Sequence, residues 1–240
     1  MLNLTTFFYK QSFKTGALSV FLNPLLLIRK GLIKKIEEYA PLLNGKLLDF
    51  GCGNKPYSHL FKANEYIGVD IENTTGHDTR FQKPDVYYDG ITIPFNDSHF
   101  DTIFCSEVLE HVPNIDLILD ELNRVLKPGG KMLITVPFCW NEHEIPFDFR
   151  RFSSFGLKTI FENRGYEILN YHKTGNFIEV IFQLRILYLY ETVKRLGFLG
   201  FALIFPFVSL LNICGIIFGM LLPKNYSLYF NNVIVVKKKG

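Results

Sequence analysis

Lys46-Leu47-Leu48-Asp49-Phe50-Gly51-Cys52-Gly53-Asn54-Lys55 is the stretch whose reading decides the fold. A short apolar run ends in an acid, a tight glycine turn follows, and Tyr57 to Ala63 is helix-like. The pattern predicts a buried strand feeding a nucleotide-binding loop. Gly51 and Gly53 can take backbone angles closed to other residues and let a ligand come close to the main chain. A helix N-terminus after the loop would leave free N–H groups facing that ligand. A dinucleotide loop of the G-x-G-x-x-G type needs a third glycine where Pro56 stands, and the Walker pattern is absent too. Asp49, two residues before the first glycine, would repel a pyrophosphate. It suits a ligand that carries an ammonium or a sulfonium group.

Working outward, Asp49-x-Gly51-Cys52-Gly53 after a strand resembles the first motif of class I S-adenosylmethionine-dependent methyltransferases. Lys55 departs from the glycine that many such enzymes carry there. Tyr66 to Ile71 reads as a second strand ending in Asp70, an acid able to accept both hydroxyls of a ribose. Val86 to Tyr88 reads as a third strand. The resemblance implies that Asp89 lies near the adenine amino group and Ile91 against the ring. Pro94-Phe95 and Phe100-Asp101 complete a P-F-x-x-x-x-F-D phrase typical of the family. Asp101 to Cys105 reads as the fourth strand, running into Ser106-Glu107-Val108-Leu109-Glu110-His111-Val112, and the resemblance puts the first residues of this motif along the methionine half of the cofactor. A helix capped by Asn114, the turn Arg124-Val125-Leu126-Lys127-Pro128-Gly129-Gly130 and a fifth strand over Lys131 to Pro137 follow in family order.

The motifs span Leu47 to Pro137 and imply an α/β fold: a Rossmann-like, doubly wound, seven-stranded sheet with an antiparallel last strand. A hydrophobic helical insertion precedes that strand. The implied cofactor is S-adenosyl-L-methionine, held by Asp49, Gly51, Cys52, Gly53, Asp70, Ile71, Asp89, Gly90, Ile91 and Cys105. The implied activity is methyl transfer.

Beyond the fifth strand, Phe138 to Ser153 holds the only tryptophan, Trp140, and a His143-x-x-Pro146-x-Asp148-x-x-Arg151 phrase. It resembles the corresponding segment in methyltransferases of bacterial surface-polysaccharide gene clusters. Open α/β sheets receive substrate at the carboxyl ends of their strands, where this loop must lie. His143 is therefore the candidate general base for a hydroxyl acceptor, set against a purely structuring role for the same residue. His111 is the second candidate, with a structural role expected.

Residues 1–44 form an N-terminal helical segment, in which Leu25, Ile28, Leu32, Ile36 and Tyr39 share a face, Pro24 fits the first turn and Pro41 closes the helix. The methyltransferase domain takes 45–176 and 226–240, and 177–225 is a hydrophobic arm. Leu196 to Leu222 contains no charged residue, long enough for a membrane span. Yet the sixth strand near Glu167 to Tyr171 and the last over Tyr229 to Val236 must share one sheet. The arm thus crosses an even number of times or not at all. Pro206, Gly200 and Asn212 offer break points for a re-entrant or surface-lying hairpin. Lys194-Arg195, Lys224 and Lys237-Lys238-Lys239 suit anionic headgroups. The expected location is the cytoplasmic face of the membrane, peripheral or monotopic. The alternative use of the arm is a homodimer interface, with a soluble small-molecule acceptor in place of a lipid-linked one. A third reading is a non-catalytic adenosine-binding scaffold.

Net charge is +3 over 240 residues, too mild to point to nucleic acid. Cys52, Cys105, Cys139 and Cys214 have no disulfide or metal-like spacing, so reduced thiols and no metal site are expected. Asn23-Pro24 interrupts the apolar run Gly16 to Ile28, and no small-residue cleavage site follows, which argues against a cleaved signal.

Overall fold

A computed structural model of the chain describes residues 13, 15–16, 18–71, 83–193 and 196–240. Seven strands form one sheet: β1 Lys46–Phe50, β2 Glu65–Ile71, β3 Val86–Tyr88, β4 Phe100–Ser106, β5 Leu126–Pro137, β6 Tyr166–Lys173 and β7 Asn231–Lys238, in the order β3-β2-β1-β4-β5-β7-β6. The pairs from β3 to β5 are parallel, with Asp49 level with Gly68 on one side and Phe104 on the other. The last strand runs the other way. Thr174, just past β6, bonds to Asn231 at the start of β7, while Gly165, just before β6, accepts from Lys239 beyond its end. A doubly wound parallel sheet with one reversed strand is the expected fold, and the core confirms why the apolar runs specify it. Leu48, Phe50, Ile103, Cys105, Met132, Ile134, Ile234 and Val236 are buried together on one face, and the alternating Leu47, Phe104, Leu133, Val233 and Val235 are buried too, as strands covered on both faces require.

Two helices cover this sheet within its own unit. α3, Ile115–Val125, starts at Asn114, whose side chain accepts from the Leu117 N–H at 3.3 Å, and it buries Ile118, Leu119, Leu122 and Val125. α4, Ser154–Glu162, is capped by Ser153 through the Gly156 N–H. Several family-like phrases serve this packing. The Arg124 guanidinium donates to the carbonyls of Ile93 and Phe95 at 2.9 and 2.8 Å, and Lys127 pairs with Asp101 at 2.6 Å.

The chain divides into two compact units: the described part of Met1–Lys34 with Lys173–Asn231, and Lys35–His172 with Asn232–Gly240. Apart from Lys173 and Asn231, the end residues of β6 and β7, the described elements of the first are helices: α1 Ser19–Leu22, the start of α2 Leu26–Tyr39, α5 Phe177–Val193 and α6 Gly197–Leu221. Two side chains tie it together through buried polar bonds. Gln183 of α5 donates to Pro24 O at 2.7 Å and accepts from the Ile28 N–H, and Asn212 of α6 donates to Val20 O and Asn23 O, both at 3.0 Å. Gly215 lets α6 approach closely, since a Cβ there would meet Leu27 Cδ1 at 2.6 Å.

Two expectations are corrected. The apolar stretch does not break at Gly200, Pro206 or Asn212: α6 is one continuous helix with Pro206 inside it, and the hairpin is made instead with the charged helix α5. Gly200, Asn212 and Gly215 lie on its buried stripe, where close packing at Gly215 and the two bonds of Asn212 outweigh their low helix propensity. Likewise Tyr57 to Ala63 is no helix but a single turn, Ser58–Leu60. Its aromatic residues are held by packing, with Tyr57 edge-on to Phe104 and Phe61 at 4.7 Å from the same ring. Among the described residues, this segment therefore offers the loop no α-helix N-terminus.

Candidate active site

Parallel alignment of β1, β2, β3 and β4 gathers the expected cofactor residues at one edge. Gly51 has φ 68, and a Cβ there would strike Val108 Cγ2 at 2.3 Å. Gly53 has φ 49 with nothing within 4 Å of where a Cβ would stand, so open space lies over that turn. Lys55, at the position where a glycine was the family expectation, also adopts a left-handed conformation, φ 51. Its ammonium pairs with Asp85 at 2.6 Å, across the bare Cα of Gly68, where a side chain would clash with Lys55 Cε at 2.5 Å.

Asp70 at the tip of β2 accepts from the Gly53 N–H and from its neighbour Ile71 N–H, each at 2.8 Å. The carboxylate is thereby locked against the glycine turn, where a ribose would lie. Asp89 follows β3 and accepts from the Ile91 and Thr92 N–H groups, which hold its carboxyl below the usual range. Gly90, φ 82, sits so that a Cβ would touch Ile71 Cγ2 at 4.0 Å, so the tips of β2 and β3 meet. Ile71 and Ile91 are both exposed there, apolar surface open to an aromatic ring. Cys52 and Cys105 are buried, and burial pushes both thiols up, so neither is a nucleophile.

Asp49 is 4% exposed and accepts from the Tyr66 hydroxyl. Burial, above all, and then the neighbouring Asp70 carboxylate push it up to about 7. A buried acid so close to neutrality fits a cationic ligand, whose charge would stabilise the ionised form. The donor set therefore fits S-adenosylmethionine: Asp49 for its positive charge, Asp70 for its ribose, and Asp89 with Ile71 and Ile91 for its adenine.

His143 does not join this group. It lies in the loop after β5, which is strapped to the loop after β4 because the two strands are neighbours. The Phe149 N–H donates to Glu110 O, His111 Nδ1 lies 2.6 Å from Phe147 O, and Arg150 reaches the carbonyls of Val112 and Pro113. Ser106, Thr135 and Glu107 form a hydroxyl–hydroxyl–carboxylate chain of 2.8 Å steps beneath them. The imidazoles of His111 and His143 meet edge to face at 4.6 Å between ring centres. His143 Nδ1 lies 3.2 Å from both Asp148 Oδ2 and Asn141 O, and Asp148 is clamped by both Arg151 amino nitrogens, which lowers its carboxyl to about 2. Thus the histidine, aspartate and arginine of the H-x-x-P-x-D-x-x-R phrase bond to one another in series. Burial lowers His143, so a neutral imidazole is favoured near neutral pH.

Sequence reading missed Glu110. Its carboxyl is fully buried, its oxygens have no hydrogen-bond partner, and burial raises it well above the usual range. Glu110, His111 and His143 each offer a donor atom within 4.8 Å of the others. The E-H pair was visible in the sequence, but it lies 32 residues from His143 and nothing in the spacing joins them.

Fold and site together define a Rossmann-like methyltransferase domain. A family model describing a methyltransferase domain matches residues 27–171, well over half of the chain, and the chain belongs to that family. The cofactor of this class is S-adenosylmethionine, which supplies the methyl group on its sulfonium. An uncharacterized protein of Methanocaldococcus jannaschii is 30% identical over 56% of this chain and 63% of its own. A 27-O-demethylrifamycin SV methyltransferase of Amycolatopsis mediterranei is 30% identical over 43% of each chain. The chain thus spans between two fifths and two thirds of the length of these curated relatives. Among solved structures, a SAM-dependent methyltransferase from Archaeoglobus fulgidus has a TM-score of 0.55 at 17% identity, covering 97% of this chain and 99% of its own, a likeness of fold.

Proposed function

We propose that the protein methylates a hydroxyl oxygen of an acceptor held at the cytoplasmic face of a membrane, with a lipid-linked glycan as the acceptor class. Methyl transfer from a sulfonium is an in-line displacement with a good leaving group, so alignment and exclusion of water carry most of the catalysis. A hydroxyl acceptor also needs somewhere for its proton to go, and the Glu110–His111–His143 cluster beside the strand tips provides it. The relative named for a 27-O-demethylated substrate supports oxygen as the methylated atom. The H-x-x-P-x-D-x-x-R phrase supports a glycan.

The observation that carries the membrane reading is the outward stripe of α6. Leu199, Leu203, Phe207, Leu210, Ile217 and Leu221 are all exposed, from 46% to 75%, on a helix with no charged residue. Ile204, Val208, Asn212, Gly215 and Gly219 form the opposite, buried stripe. A bare apolar stripe of this length is unfavourable in water and favourable in lipid. Crossing is disfavoured for the pair: α5 is 17 residues long and carries Glu179, Arg185 and Glu191. An apolar groove of 530 Å³ between α5 and α6, lined by Leu184, Tyr188, Phe207 and Leu210, is of a size to take part of a lipid chain.

Membrane fractionation tests this reading. The protein should sediment with membranes, resist high salt and be released by detergent, and reporter fusions after Lys173 and after Lys239 should both report the cytoplasm. Glycolipids from cells lacking the protein should be lighter by one methylene. A detergent-free soluble dimer would overturn the membrane reading in favour of an interface between copies. Opposite reporter locations would mean a true span.

A further inference from the structure

We propose that Glu110, His111 and His143 bind a divalent first-row transition cation, of the zinc, cobalt or manganese kind. The inference rests on the O-methyltransfer reading and deepens it, since the ion would sit where the acceptor hydroxyl must lose its proton.

Geometry carries the case. One donor atom from each residue lies within 4.8 Å of the other two, and His111 Nε2 stands 3.8 Å from Glu110 Oε1. Ligands around a tetrahedral ion with bonds of about 2.0–2.1 Å stand roughly 3.3 Å apart, so side-chain torsions moving each group by about an ångström would close the site. The Glu110 carboxyl is the independent sign. It is fully buried, both oxygens lack a hydrogen-bond partner, and it faces the His111 ring. Leaving such a group unpaired costs free energy, and a cation removes that cost.

The outer contacts fit as well. Ligating histidines hold their second ring nitrogen on a carbonyl or carboxylate, which fixes the tautomer. His111 Nδ1 is 2.6 Å from the Phe147 carbonyl, and His143 Nδ1 is 3.2 Å from Asp148, itself fixed by Arg151. Each histidine then has Nε2 left to coordinate. Two imidazoles and one carboxylate select a transition ion over magnesium or calcium, which prefer all-oxygen sets. Three protein ligands leave a position open for a hydroxyl oxygen. Glu144 Oε2, exposed and 4.0 Å from His111 Nε2, marks the side from which an ion would enter. In the full step the oxygen–methyl bond forms as the sulfur–methyl bond breaks. S-adenosylhomocysteine leaves, and with both imidazoles on the ion the cluster acidifies the hydroxyl through it instead of taking the proton itself, which passes to solvent.

The test is a cation titration of the full chain, stripped with chelator, in membranes or detergent. Co²⁺ should produce visible absorption bands at one ion per chain, and equilibrium dialysis with Zn²⁺ should give the same stoichiometry. Glu110→Gln, and His111→Ala with His143→Ala, should abolish saturable binding. Asp148→Asn, which keeps all three ligands and changes only the partner of His143 Nδ1, should weaken it about 10- to 100-fold. Calorimetry with S-adenosylmethionine on the same samples checks folding. Cofactor binding without a saturable ion in the wild type overturns this proposal alone, as does equal binding in Glu110→Gln. Ion binding without cofactor binding overturns the methyl-transfer reading and leaves the ion site standing.

Discussion

Asp49→Asn is the most informative single change, because the buried carboxyl it neutralises is held up to about 7 in the fold against an ordinary 3.8. At 1.36 kcal/mol per pKa unit, that difference amounts to about 4 kcal/mol. The sign follows from where the proton sits. Below about pH 4 the carboxyl is neutral in folded and unfolded chains alike. Between about 4 and 7 the unfolded chain gives up the proton and the fold keeps it, so this group's contribution to stability falls as pH rises and is lost above 7. Asparagine removes that loss but brings an amide N–H₂ into a closed site, at about 1–3 kcal/mol if unpaired. The net expectation at pH 8, without cofactor, is a gain of about 2 kcal/mol, or roughly 4–8 °C in Tm. The variant should at the same time lose the Asp49 contribution to the fall in stability between about pH 4 and 7, and bind S-adenosylmethionine at least tenfold more weakly. In the wild type, affinity should fall towards tenfold per unit as pH drops below 7, because the cation selects the ionised carboxylate. Scanning fluorimetry across pH, with calorimetric cofactor titrations at pH 5.5, 6.5 and 7.5, measures both. A wild-type affinity that is flat over this range, or a variant less stable than the wild type at pH 8, would refute the reasoning.

Asp70→Ala removes the acceptor for the Gly53 and Ile71 amides and the carboxylate proposed for the ribose, so cofactor affinity should drop by about 1–3 kcal/mol in calorimetry, with NAD failing to compete. His143→Ala should leave cofactor affinity near normal while methyl transfer to membrane extracts, followed with labelled cofactor, falls about 10²–10⁴-fold. Leu203→Glu combined with Phe207→Glu and Leu210→Glu puts charge on the exposed stripe without touching the buried one, and vesicle flotation should show the protein released. Asn212→Leu strips two carbonyls of their donor in the helical unit and should lower thermal stability by about 1–3 kcal/mol.

The sheet and the cofactor edge were legible in the sequence because local signals determine them. Strand-sized apolar runs, an acid at each tip and glycines at left-handed positions fix β1, β2 and the turn at Gly51 and Gly53 with little help from elsewhere. Even Lys55, the departure from the family, adopts the left-handed backbone that a glycine would take. Other features depended on partners distant in the chain. The Tyr57 to Ala63 segment carries a helical pattern, yet packing of Tyr57 and Phe61 on Phe104 holds it as a single turn. Pro206 reads locally as a break, but α6 stays continuous along a stripe that α1, α2 and α5 bury, and only the fold shows which apolar residues remain bare. Glu110 reads as one letter in a strand-four phrase. The unpaired state of its carboxyl oxygens, and its meeting with His143 across neighbouring strands β4 and β5, follow from strand order, which no spacing along the chain encodes.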